Sequence, residues 1–203
     1  MKKLIAHTYI FFVYICLVHP VRSEILVRPA TLADIPEVLE LDRRASFEYF
    51  KPLYTKAYAH LSLGKNPDYF LELDLKQDEQ TFYELVKTPG DTRLHIAYDG
   101  ELKRVAGLIV FHKEHEDIVE LDLLLVDKDY RRMGIGKKLV RDAIATFKNI
   151  KTCLVYPIQH ANNETLRFYQ SMGFKNMGVG PENKKNIYGI KYSEMHFHFR
   201  FDL

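Results

Sequence analysis

The 203-residue chain predicts an α/β fold, a mixed sheet with helices packed on its faces. Three observations predict it. From residue 24 onward, apolar runs of strand length alternate with runs of helical period. An Asp99-Gly100 pair separates two alternating runs, RLHIAY and RVAGLIVFH, which is a hairpin signal. A strand, a helix and a strand then follow one another between Asp117 and Tyr156, and that order requires a right-handed parallel crossover. The principal elements run β-α-α-β-β-β-α-β-α-β-β.

The first strand is EILVRPA, closed by Pro29. TLADIPEVLELDRRASFEYF reads as a helix, with Thr31 as N-cap. Leu32, Ile35, Val38, Leu39 and Leu41 lie mostly on one face of it, and Pro36 sits in its tolerant first turn. The stretch from Lys51 to Thr88 is rich in aromatics (Tyr54, Tyr58, Tyr69, Phe70, Phe82, Tyr83) and broken by Pro52 and Pro67. It predicts one helix around Tyr54–Leu61 and another around Asp78–Lys87. After the hairpin, DIVELDLLLV forms a strand from Asp117 to Val126, apolar enough near its end for burial on both faces. A helix follows from about Gly134 to Phe147, then the short buried strand TCLVY. NNETLRFYQSMGF is a helix stopped by Gly173. FKNMGVG and IKYSEMHFHFRF are the last two strands, joined by a polar loop at Gly180–Asn186.

Composition bounds the function. Lys+Arg is 29 against Asp+Glu 27, so no nucleic-acid partner is expected from bulk charge, and any anion site must be local. The N-terminus, MKKLIAHTYIFFVYICLVHPVRS, has a basic start and an apolar run from Leu4 to Val18. Val21 and Ser23 stand where a signal peptidase would read them before Glu24. Residues 1–23 therefore read as a signal-peptide-like segment or as a start assigned too early, and residues 24–203 as the folded domain. The apolar run is short for a membrane span, so no stable membrane association is expected once residues 1–23 are absent. The two cysteines, Cys16 and Cys153, form no metal spacing. Cys153, in an apolar strand with no adjacent base, reads as a buried, inert thiol. His112, His115, His196 and His198 have no third ligand fixed nearby, so no metal is expected.

The informative stretch is DYRRMGIGKKLV, residues 129 to 140. A helix N-terminus leaves several N–H groups unpaired and carries a partial positive charge. Gly134 and Gly136 lack a Cβ, so a ligand can approach the backbone there. Arg131, Arg132, Lys137 and Lys138 surround the same point with charge. Together they make an anion site suited to a diphosphate, with Met133 and Ile135 adding only their amides. A nucleoside-triphosphate loop needs GxxxxGK[ST], and no hydroxyl follows the lysines here. A dinucleotide fingerprint needs glycine at position 139, which is Leu139. What remains is Arg131-x-x-Gly134-x-Gly136 between an apolar strand and a helix.

At these residues the chain resembles the GCN5-related N-acetyltransferase (GNAT) family, whose pattern at this junction is Arg/Gln-x-x-Gly-x-Gly/Ala. Its second family feature is NNETLRFYQSMGF, similar to an Asn…Phe-Tyr…Gly-Phe segment through Asn162, Tyr169 and Gly173-Phe174. Thr165 stands where the family often has alanine. The resemblance runs from Glu24 to about Leu203 in element order and is specific over Asp117–Phe174. It implies a mostly antiparallel sheet of six to seven strands, helices on both faces, and a splayed parallel strand pair. It also implies acetyl-CoA as cosubstrate, and an amine acceptor that the sequence leaves unknown.

By that resemblance, the pantetheine arm runs between Leu121–Val126 and Cys153–Tyr156 and pairs with the backbone at Leu124 and Val126. A bulge there would aim an amide at the acetyl oxygen. Tyr169 is the acid for the leaving thiolate, and Asn162 contacts the pantetheine or starts its helix. An amine near pKa 10.4 needs a base. Glu120 is the candidate, with Asp122 second at i+2 on the same strand face. The aromatic Lys51–Thr88 segment is expected to help wall the acceptor side. Two alternatives stay open: an acyl-CoA sensor of the same fold without turnover, and an exported interaction protein without a cofactor. The cofactor argues for a cytoplasmic location and the N-terminus for export. Assembly as a homodimer is also open.

Overall fold

The computed structural model describes residues 24–58, 67–157, 163–179, 183–187, 190–194 and 197–203. The segment 1–23 lies outside these, as does Asn162. In chain order, β1 is Ile25–Pro29, α1 Ile35–Tyr58, α2 Pro67–Lys87 and β2 Thr92–Asp99. Then come β3 Arg104–His115, β4 Ile118–Val126, α3 Ile135–Ile144, β5 Thr152–Val155 and α4 Asn163–Ser171. Four strands close the chain: β6 Lys175–Val179, β7 Asn183–Ile187, β8 Ile190–Glu194 and β9 Phe197–Asp202.

Seven strands form one sheet in the order β1-β2-β3-β4-β5-β9-β6, and β7 and β8 form a separate two-stranded ribbon. Every neighbour pair in the large sheet is antiparallel except β4–β5, which is parallel. The predicted crossover is thus β4-α3-β5. A core on one sheet face joins Ile109, Phe111 and Val119 to Ile135, Leu139 and Val140 of α3 and to Tyr169 of α4. On the other face, Ile35, Val38 and Leu41 of α1 and Phe82 of α2 cover Leu94, Leu108 and Val110. Helices therefore cover both faces.

Three element boundaries differ from the sequence reading. Helix α1 runs through Pro52 to Tyr58 instead of stopping and restarting. Proline removes one backbone bond, and its fixed φ is itself helical, so the packed face on α2 carries the helix past it. Helix α2 begins at Pro67, eleven residues before the predicted start, because proline suits the first helical position. The polar loop at Gly180–Asn186 contains most of β7, which pairs with β8 from Asn183↔Glu194 to Ile187↔Ile190. The predicted last strand is accordingly two, β8 and β9.

The start of α1 is fixed by charge. The N–H and hydroxyl of Thr31 both donate to Asp34 Oδ2 at 2.7 Å. Arg28 grips the same carboxylate with bonds of 2.7 and 2.8 Å. That guanidinium holds the Asp34 carboxyl down at about 2. At the hairpin, Asp99 accepts from the amides of Glu101 and Leu102, and β3 resumes at Arg104. No helix among the described residues is long and apolar enough to cross a membrane.

Candidate functional site

The site grows from one extra residue in β4. Val110 pairs with Leu123 and Phe111 with Leu121, so Asp122 is a bulge. A bulge shifts the alternation of faces by one. Val119 and Leu121 belong to the α3-side core, and so do Leu124 and Val126, while Leu123 and Leu125 face α1. The parallel pairing with β5 covers Ile118↔Thr152 to Leu121↔Val155 and stops there. Beyond the bulge, Leu123–Val126 has no strand partner on the β5 side among the described residues. The two parallel strands separate at this point.

The chain leaves β4 through Asp127, which is 2 % exposed. Its Oδ1 accepts from Asp129 N at 3.0 Å and caps a short 3₁₀ turn at Lys128–Tyr130. Tyr130 is buried and donates its hydroxyl to Asp99 at 2.9 Å. Arg132 then takes φ 64 and Gly134 φ 83, so the backbone turns left-handed twice before α3. Gly134 is the N-cap, and the first bond of the helix is Lys138 N–H to its carbonyl at 3.0 Å. The amides of Arg132, Met133, Gly134, Ile135, Gly136 and Lys137 donate to no carbonyl among the described residues. Six N–H groups thus crowd the positive end of α3.

Gly136 shows how close the walls are. A Cβ there would lie 3.1 Å from Phe168 Cε2 and 3.6 Å from Val126 Cγ2. The first turn of α3 therefore abuts both the free end of β4 and helix α4. Gly107 is the floor beneath, where a Cβ would meet the Leu125 carbonyl oxygen at 2.8 Å.

The charged side chains around this loop are disposed unequally. Arg131 turns both terminal nitrogens to Glu48 of α1, each at 2.9 Å, and its Nε to the Val126 carbonyl at 3.3 Å. Lys138 pairs with Asp142 at 2.6 Å. Lys137 reaches the Ser171 carbonyl only at 3.4 Å, and Arg132 and Met133 are exposed. The local cations available to a ligand are thus Arg132 and Lys137, a narrower set than the four in the sequence.

Helix α4 carries Tyr169. Its end is closed by a Schellman turn, with Phe174 N–H to the Tyr169 carbonyl at 3.1 Å and Gly173 N–H to that of Gln170 at 3.0 Å. The Tyr169 ring is 6 % exposed, edge-on to Phe168 at 5.1 Å and to Phe174 at 5.5 Å. Its hydroxyl makes no hydrogen bond among the described residues and is not one of the sealed, unpartnered polar atoms. Burial and then the neighbouring Cys153 raise its pKa, so it holds its proton throughout the ordinary range. Burial pushes the Cys153 thiol up to about 12, so it is a poor nucleophile.

Across the sheet, Glu120 is half-buried next to the bulge. Burial raises its pKa to about 6, and Asp122 and Glu114 add to the rise while His112 opposes it. Burial, and then Glu120 and Glu114, raise the pKa of Tyr156, whose ring stacks on His198 at 5.0 Å. Glu114, Tyr156 and His198 were not singled out by sequence as a group. They come from three strands, and only the sheet order brings them together. Glu48 was missed for the same reason, lying 83 positions from Arg131.

The site is thus a parallel pair opened at a bulge, with an unpaired helix start at the opening. Solved structures with the same fold include three N-acetyltransferases. PaiA N-acetyltransferase from Thermoplasma acidophilum, in complex with coenzyme A, superposes with a TM-score of 0.60 at 17% identity, over 89% of this chain and 99% of that one. Arabidopsis thaliana NAA60, in complex with a bisubstrate analogue, gives 0.56 at 18% identity, over 88% and 98%. The ribosomal-protein-S18-alanine N-acetyltransferase from Escherichia coli gives 0.57 at 14% identity, over 88% and 94%. Among curated proteins none matches the sequence significantly. The acetyltransferase (GNAT) family is matched over residues 50–174, more than half of the chain. The chain belongs to the GNAT family of acetyltransferases.

Proposed function

We propose that this chain transfers the acetyl group of acetyl-CoA to a primary amine of a small molecule or protein, by direct attack in a ternary complex. The observation that carries the reading is the set of six unpaired amides at Arg132–Lys137, set against the open edge of β4. Acetyl-CoA supplies an activated acyl group and a diphosphate. The six amides, with Arg132 and Lys137 beside them, match a diphosphate in charge and donor count. Leu124 and Val126 offer backbone groups on the unpaired edge of β4, and the bulge at Asp122 turns that edge toward the opening. Neutral Tyr169 holds a proton for the departing sulfur, with no competing acceptor for its hydroxyl among the described residues. Glu120, with a carboxyl at about 6, is ionised at neutral pH and takes a proton from the ammonium, directly or through water.

The neighbours named above, an N-acetyltransferase bound to coenzyme A among them, support the same reading. Coenzyme A thioesters are intracellular, so the proposal carries a cytoplasmic location with it. Titration calorimetry of the chain with coenzyme A is the test, followed by thioester consumption across a panel of primary amines. Saturable heat and amine-dependent turnover are expected. No heat removes the reading, and heat without turnover on any amine leaves only a sensor.

A further inference from the structure

The motif arginine of this chain has a partner that the sequence pattern does not announce. Arg44 and Glu48 are one turn apart on α1. Asp127 and Arg131 bracket the 3₁₀ turn that leads into the amide loop. The two pairs meet with alternating charge: Arg44 to Asp127 at 2.8 Å, and Glu48 to Arg131 at 2.9 Å twice. Asp127 is held a second time by Arg104 of β3 at 2.6 Å, so the start of the turn is fixed to the sheet. At its end, Arg131 is tied to α1 through its terminal nitrogens and to β4 through its Nε. Directly after Arg131 the backbone enters the left-handed conformation at Arg132. A non-glycine residue persists there only when its surroundings hold it.

We infer that Arg131 is a positioning residue, clamped by Glu48, that sets the amide loop instead of touching the phosphates itself. The geometry is a fork-to-fork pair, which fixes the plane of the guanidinium as well as its distance. With both terminal nitrogens turned to Glu48, the guanidinium faces α1. Glu48 feels the pair too: Arg131 lowers its carboxyl below the usual range. Helix α1, which covers the face of the sheet opposite α3, thereby reaches the loop at the start of α3. The clamp makes helix α1 part of the anion site's scaffold. This inference rests on the coenzyme A reading above.

The test is a double-mutant cycle with Glu48→Gln and Arg131→Met, read by coenzyme A titration and by kcat and KM. The pair is partly exposed, so each single variant should weaken coenzyme A binding by about three- to fivefold with kcat nearly unchanged. The double variant should bind no worse than Arg131→Met alone, because both remove one interaction. Glu48→Gln binding as tightly as the wild type, or tighter, while Arg131→Met loses affinity, would overturn the inference in favour of a direct phosphate contact. Additive losses would overturn it as well. A wild-type chain that binds no coenzyme A removes the underlying reading, and the inference falls with it.

Discussion

Replacing Asp42 by asparagine should stabilise the chain at alkaline pH and leave it unchanged near pH 4. Asp42 sits in the buried stripe of α1, only 3 % exposed. Among the described residues its Oδ2 has no hydrogen-bond partner, and Ser46, a turn further on, is a side-chain donor to the carboxyl. Burial, and then the charge of Asp78 on α2, push its carboxyl up to about 7. An unfolded aspartate titrates near 3.9. The folded state therefore holds a proton that the unfolded state has released between about pH 4 and pH 7. Stability falls as pH rises through that window and levels off above it. Three pKa units correspond to about 4 kcal/mol, and relaxation of the two helices reduces that to roughly 2–4 kcal/mol. Asparagine keeps the shape and an acceptor for Ser46 but has no proton to lose. At pH 8 its unfolding temperature should exceed that of the wild type by roughly 5–12 °C. The assay is thermal unfolding by circular dichroism from pH 4 to pH 8, on both proteins. A gain that is the same at both ends of the range would refute the argument, because it would owe nothing to ionisation. So would a loss at pH 8.

Three further outcomes test the chemistry. Tyr169→Phe should lower kcat by about a hundredfold while coenzyme A affinity holds, since only the proton donor is gone; an unchanged rate in steady-state assays would end the acid role. The rate of the wild type should rise with pH through about 6 as Glu120 ionises, and Glu120→Gln should lose that limb along with about a hundredfold in rate. If the limb survives the substitution, the base is elsewhere. Gly136→Val should abolish measurable coenzyme A binding, because its side chain enters the 3.1 Å space before Phe168 and covers the amides; wild-type calorimetric affinity in that variant would place the anion site elsewhere.

What the sequence could show divides along the range of its signals. Period-2 and period-3.6 patterns mark β2, β3, β4, α3 and α4 within a residue or three, because each buries one face or both. The glycine loop before α3 was visible because its glycines, its charges and the helix after it are contiguous. Helix α1 was cut short because Pro52 reads as a breaker in isolation, while its fixed φ suits a helix that is already formed. Strand β7 was read as loop because its sequence NKKNI is polar, and β8 was read as the start of the last strand. The bulge at Asp122 has no composition of its own; the resemblance implied one along this strand, but its position shows only when β3 is set beside β4. Arg131 is the instructive residue. Its position in the motif was correct, but its partner lies in α1, and no local pattern points there.

The bulge also explains why the features of the site coincide. Were Asp122 paired in regular alternation instead of bulged, Val119, Leu121, Leu123 and Leu125 would share one face. The bulge instead puts Leu124 and Val126 on the α3 side, where Val126 meets the first turn of α3 at Gly136. The β5-side edge of β4 is free from the same level, where burial and then Asp122 raise the Glu120 carboxyl. An opening and a carboxylate with a raised pKa thus meet a positive helix end beside one irregularity in one strand. A sheet paired to its end would have filled the space with hydrogen bonds, and the unpaired amides of α3 would then face a closed edge.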